Sequence, residues 1–116
     1  MGKMSDKLGE VNVLIKRLQE RYPAEINAFM SFVKKAESGP ALSEREKELI
    51  NIGLSVAGQC EWCIALHVQH AIQAGATRDE IVEAGFMAVV MHGGPALVCL
   101  TPLMKALDEF LPEEGA

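Results

Sequence analysis

Apolar residues return every three or four positions through most of the chain, the spacing of one face of an α-helix. Val11, Leu14, Ile15 and Leu18 make the first such stripe, and Tyr22-Pro23 ends it. A second helix starts at Pro23 or Ala24 and carries Ile26, Phe29, Met30 and Val33 to a stop at Ser38-Gly39-Pro40. Ser43 with Glu46 has the spacing of a capping box and opens a third, with Leu49, Ile50 and Leu54 as its stripe and weak points at Gly53 and Gly58. The fourth runs from about Gln59 or Cys60 to Ala74, closed by Gly75. Thr77 and Glu80 repeat the capping-box spacing and open a fifth, through Ile81, Val82, Phe86, Val89 and Val90 to Gly93-Gly94. Pro95 suits the first turn of a last helical region, bent or interrupted at Thr101-Pro102 and ending before Pro112.

No segment alternates with period two, and no repeat, linker or low-complexity tract divides the chain. The expectation is an all-α, single-domain bundle of about six helices over residues 1–116, with the first two as a scaffold layer and a motif core at 43–94. At 116 residues the chain suits one domain. Hydrophobic residues make up 49% of it and aromatic residues only 5%, so the excess is aliphatic. A small helical domain so rich in aliphatic surface is expected to hide part of it between copies of itself, as a homo-oligomer. The net charge of −5, with no basic cluster larger than a pair such as Lys34-Lys35, argues against nucleic acid as a partner. No leader-like or membrane-spanning stretch is evident, and a cytoplasmic location is expected.

The chemistry concentrates in CEWCIALH, Cys60 to His67. Such residues read as a redox couple with a proton partner, as metal ligands, or as part of a buried helix face. On one helix, Cys60, Cys63 and His67 fall within an arc of about 60°. Cysteines three apart there are close enough for a disulfide, and His67 stands one turn beyond Cys63. A four-ligand site within this segment is disfavoured, because Cys60 and His70 are separated by about 15 Å of axial rise. A thiolate is favoured at a helix N-terminus, which suits Cys60, and beside a base, which suits Cys63. Cys99, in ALVCLTPL, reads as a small buried hydrophobe. Trp62 reads as packing or interface burial. His70 and His92 stay outside the catalytic set, and the stripe Phe86, Met87, Val90, Met91 reads as core or subunit contact. Glu48 lies twelve positions before Cys60. It reaches the thiols only if the chain turns near Gly58 and lays the third helix beside the fourth; by composition alone it is a solvent-facing carboxylate beside Glu44, Glu46 and Lys47.

The segment SEREKELINIGLSVAGQCEWCIALHVQHAIQAGATRDEIVEA resembles the core of the carboxymuconolactone decarboxylase and alkyl hydroperoxidase D-like superfamily. In its peroxidase branch a Glu, eleven residues and Cys-x-x-Cys-x-x-x-His follow one another, and Glu48, Cys60, Cys63 and His67 match that spacing. The resemblance implies an all-helical domain assembling into trimers or hexamers, with the site near a subunit contact. It implies Cys63 as the peroxidatic thiolate, Cys60 as the resolving cysteine, and His67 with Glu48 as a proton relay. It also implies a hydroperoxide or disulfide substrate and an external thiol reductant, lipoyl-bearing or thioredoxin-like, with neither cofactor nor metal. One departure is Trp62, where the pattern often carries a second His. Two other functions stand beside this one. Lactone decarboxylation names the superfamily, but Arg45 and Arg78 are isolated and make no carboxylate-binding cluster. A non-enzymatic helical assembly or metal-binding module is the third.

Overall fold

Capping chemistry sets where the helices begin. The computed structural model describes residues 3–112 and, among them, seven helical segments: α1 (Met4–Arg21), α2 (Pro23–Ala36), α3 (Glu44–Ala57), α4 (Glu61–Gln73), α5 (Arg78–His92), α6 (Gly94–Val98) and α7 (Leu100–Phe110). Both predicted capping boxes are present. The Glu46 backbone N–H donates to Ser43 Oγ at 3.1 Å and the Ser43 N–H to Glu46 Oε1 at 2.8 Å. Thr77 and Glu80 repeat the exchange at 3.2 and 2.9 Å. At the start of α1 the cap comes from far along the chain: the Glu109 carboxylate accepts from the backbone N–H of Met4 (2.8 Å) and Ser5 (3.1 Å), which ties α7 to α1. Replacing Glu109 by Ala leaves those donors to water and costs roughly 0.5–2 kcal/mol, measurable as a lower urea midpoint at unchanged slope.

The all-α expectation holds, with the last helical region divided. The interruption falls at Cys99, not at Thr101-Pro102. Pro102 has no N–H to offer Val98, four residues earlier, and its ring would clash with that carbonyl in a continuous helix. The chain therefore breaks before the proline, which then sits in the first turn of α7, where an N–H would have no intrahelical partner.

α4 is the central element, packed against α3, α1 and α7, while α5 packs on the other side of α3. The core joins Ile52 and Val56 of α3, Ile64, Ala65, Val68 and Ala71 of α4, Ile81 of α5, and Leu103 and Leu107 of α7. Gly85 of α5 lets α7 approach closely: a Cβ there would lie 2.8 Å from the side chains of both Leu100 and Leu103. Gly53 does the same between α3 and α5, where a Cβ would meet the Ala84 carbonyl oxygen at 3.2 Å.

Several predicted core positions are not in the core. The buried face of α3 is Glu48, Ile52, Ser55 and Val56, whereas Ile50 and Leu54 are exposed. On α5, Phe86, Met87, Val90 and Met91 all face outward, so the core reading of that stripe is set aside. α2 packs chiefly on α1 and buries only Ile26; its Phe29, Met30 and Phe32 are exposed, as is Leu14 of α1. The apolar stripes are at helical spacing as read, but part of each belongs to the surface.

Candidate functional site

The turn between α3 and α4 brings the site together. Gly58 caps α3 in an ordinary right-handed conformation, and the left-handed residue is Gln59, at φ 56°. The Gln59 N–H reaches the Val56 carbonyl (3.0 Å) and the Cys60 N–H the Ser55 carbonyl (3.2 Å), the paired closure of a Schellman motif. Cys60 thus terminates one helix while capping the next. A left-handed conformation costs an L-residue about 1 kcal/mol or more, so Gln59→Gly is expected to raise the thermal midpoint, offset in part by the greater freedom of an unfolded glycine.

Cys60 is the N-cap of α4 rather than a residue of its first turn, extended at φ −106° and ψ 103°, and the helix begins at Glu61. Its sulfur accepts the Cys63 backbone N–H at 3.1 Å. The two cysteines form a disulfide with Cα atoms 5.2 Å apart, both partly shielded from solvent. In this position the Cys60 sulfur sits over the positive end of the α4 dipole, where a thiolate is stabilised. Trp62, between the cysteines, turns to α1: its Nε1–H donates to Glu10 at 2.7 Å, and the Lys7 ammonium lies 4.8 Å from its ring centroid.

Glu48 is buried, at 6% exposure, against the expectation that composition alone gave for it. It shares the inward face of α3 with Ile52 and Val56, and the Gly58-Gln59 turn lays that face against α4. Glu48 Oε1 lies 2.8 Å from His67 Nδ1, and Oε2 lies 3.7 Å from His70 Nδ1. The His67 and His70 rings meet edge to face, with centroids 5.8 Å apart. Burial, the largest single influence on Glu48, pushes its pKa up; hydrogen bonds and charge from His67 and His70 together outweigh it and bring the value down to about 2. The same carboxylate raises the pKa of His70 against the opposing effect of burial, with Glu37 and Glu44 adding to the rise. An ionised carboxylate can only accept, so the proton between Glu48 and His67 belongs to Nδ1. The neutral ring then presents Nε2 as its base, one helical turn from Cys63.

All four residues singled out from the sequence, Glu48, Cys60, Cys63 and His67, therefore lie along one α3–α4 seam. His70, left out of that set, joins it through Glu48. The available signal was His-x-x-His, which puts the two rings on neighbouring positions of one helix face, but it carries meaning only once a carboxylate is known to stand opposite. Arg45 and Arg78, weighed for a substrate carboxylate, pair with Glu80 and Asp108. His92 lines a groove between α3 and α5.

The chain belongs to the carboxymuconolactone decarboxylase family, whose model matches residues 23–106. It is similar to the crystal structure of a carboxymuconolactone decarboxylase family protein from Legionella pneumophila, with a TM-score of 0.88 and 33% identity over 95% of this chain and 97% of that one. An uncharacterised protein of the cox locus of Paracoccus denitrificans is 36% identical over 94% of this chain and 92% of its own length. A shorter match, 34% identical over 46% of this chain and 28% of the relative, is to an alkyl hydroperoxide reductase of Anaeromyxobacter.

No helix among the described residues is long and apolar enough to cross a membrane.

Proposed function

We propose that this protein is a thiol-dependent peroxidase or disulfide reductase that works through the Cys60/Cys63 couple in the reducing environment of the cytoplasm. The observation that carries the reading is the joining of Cys60 and Cys63 at the mouth of α4, one turn from an imidazole oriented by a buried, ionised carboxylate. In the reduced protein, His67 Nε2 takes the Cys63 proton while Glu48 stabilises the resulting imidazolium. The Cys63 thiolate attacks the O–O bond of a hydroperoxide, becoming a sulfenic acid as the alkoxide leaves and takes the proton back as an alcohol. Cys60 then condenses with the sulfenic acid, releasing water and forming the disulfide. An external dithiol, lipoyl-bearing or thioredoxin-like, attacks the Cys60 sulfur, and Cys63 leaves as a thiolate; completion of the exchange yields both thiols and an oxidised carrier.

The test is stoichiometric. One equivalent of hydroperoxide added to reduced protein should consume two thiols per chain and link Cys60 to Cys63. In Cys60→Ser it should leave a sulfenic acid at Cys63 that a dimedone probe captures. Capture at Cys60 in Cys63→Ser, with none at Cys63 in Cys60→Ser, would reverse the assignment.

The protein also assembles, in this reading, with copies of itself as a trimer or hexamer. α3 and α5 enclose an open, largely apolar groove of about 670 Å³ that includes Leu54, Met87 and Met91. The same chain offers the exposed Phe29, Met30 and Phe32 of α2. Surface of this kind on one small chain favours a second copy as its cover. Leu54→Asp combined with Met91→Glu should shift the particle to monomer in light scattering while the helical circular dichroism persists.

A further inference from the structure

The same carboxylate and two imidazoles also form a donor set whose chemistry differs from proton transfer. Glu48, His67 and His70 each present one ligand atom, and the three lie within 4.8 Å of one another. Around a tetrahedral ion with bonds of about 2.0–2.1 Å, ligand atoms stand about 3.3 Å apart. Glu48 Oε1 stands 2.8 Å from His67 Nδ1 and Oε2 3.7 Å from His70 Nδ1, on either side of that value, so turning one carboxylate oxygen to face both rings closes the set on an ion. We propose that Glu48, His67 and His70 bind a divalent transition metal of the zinc class, three protein ligands with a fourth position open, and that its binding is mutually exclusive with the Glu48–His67 proton relay.

The surroundings supply an entry path and a charge. A recess of about 540 Å³ opens onto Glu48 and His70, and Glu37 and Glu44 stand at its rim. Carboxylates there raise the local concentration of cations. Lys47, the cation in the same wall, is committed to the backbone carbonyls of Glu37 and Gly39. Two imidazoles and one carboxylate select zinc, cobalt, nickel or copper over magnesium and calcium, which prefer all-oxygen sites. The cysteines are not part of this donor set; both are engaged in the disulfide. This separates the site from the Cys-x-x-Cys metal reading, in which the thiolates are ligands.

Binding puts the ion where the Nδ1 protons of His67 and His70 stood, and each ring, ligating as a neutral imidazole, carries its one proton on Nε2 instead. With Nδ1 of His67 on the metal, Glu48 no longer stabilises a protonated ring, and the route that takes the proton from Cys63 is interrupted. The metal is thus an inhibitor of the thiol cycle, and this consequence, unlike the binding itself, rests on the peroxidase reading.

The test uses full-length protein oxidised to the Cys60–Cys63 disulfide and Co²⁺ as a spectroscopic probe, followed by displacement with Zn²⁺. The expected result is one ion per chain, with the intense visible absorption of four-coordinate cobalt. His70→Asn and His70→Gln, at a part-exposed position that tolerates either, should each weaken binding by about a hundredfold or more, a loss larger than that of an outer-shell partner. Binding that is unchanged in both His70 variants, or that appears only after the disulfide is reduced, overturns the proposal. Neither measurement involves turnover, so it stands or falls separately from the peroxidase reading. In the reduced enzyme, Zn²⁺ should slow peroxide consumption in the parent protein, and the inhibition should be lost in the His70 variants relative to their own metal-free rates.

Discussion

In the proposed peroxidase cycle, Glu48→Gln is expected to slow the reaction of Cys63 with hydroperoxide by about 10²- to 10⁴-fold, the range of a positioned acid–base partner, and Cys63→Ser to stop it. The amide preserves the shape of the carboxylate and can still accept from His67 Nδ1, so the ring stays near its place. What it loses is the charge that stabilises the imidazolium as the Cys63 proton arrives. The pH profile should change with the rate: without the relay, formation of the Cys63 thiolate depends on solvent alone, and the rate rises more steeply toward alkaline pH. The fold is affected far less. Removing one charge-assisted hydrogen bond costs on the order of 1.5–3 kcal/mol, so the variant remains folded at room temperature. Stopped-flow loss of thiol from pre-reduced protein mixed with hydroperoxide in the absence of reductant, read between pH 6 and 9, separates these effects. A Glu48→Gln enzyme with the parent rate and profile would remove Glu48 from the mechanism.

Local sequence rules locate the helices because each terminus is decided by residues next to it. Ser43 with Glu46 and Thr77 with Glu80 are cases in which side chain and backbone satisfy one another three positions apart. The cap at Glu109, 105 positions from Met4, has no such local signal. The spacing of Glu48 and the Cys-x-x-Cys-x-x-x-His motif singles out four candidate residues, but the burial of Glu48 depends on how α3 turns onto α4. That turn places its strained conformation on Gln59, beside a glycine that does not need its freedom. The misread side of α3 has a physical cause as well. Ile50 and Leu54 look like the core stripe because they are large and aliphatic, yet the inward face holds Ile52 and Val56 together with two polar residues, Glu48 and Ser55. A stripe reserved for another surface and a stripe reserved for the chain's own core have the same periodicity; only the packed structure distinguishes them.

Ile64→Ala and Ile50→Ala make that distinction measurable, and the first carries the largest expected loss of stability. Ile64 follows Cys63 directly and is fully buried, within the core that includes Ile52 of α3 and Leu103 of α7. Deleting its outer carbons removes transfer free energy and leaves a cavity that a close-packed core refills only in part, at a cost of about 2–5 kcal/mol. For a domain of this size the thermal midpoint should fall by on the order of 10 °C or more. Ile64→Val, which removes a single methylene, should cost about 0.5–1.5 kcal/mol. Below its transition the Ala variant should still form the Cys60–Cys63 disulfide with peroxide, because Ile64 holds the scaffold and bears no proton or electron. Ile50 has the same side chain but is 49% exposed at the α3–α5 groove. Its truncation should leave the unfolding free energy of a dissociated chain nearly unchanged while weakening assembly, seen as a higher concentration at the midpoint of dissociation. Equal losses from both substitutions in the monomer would show that the groove belongs to the chain's own core after all.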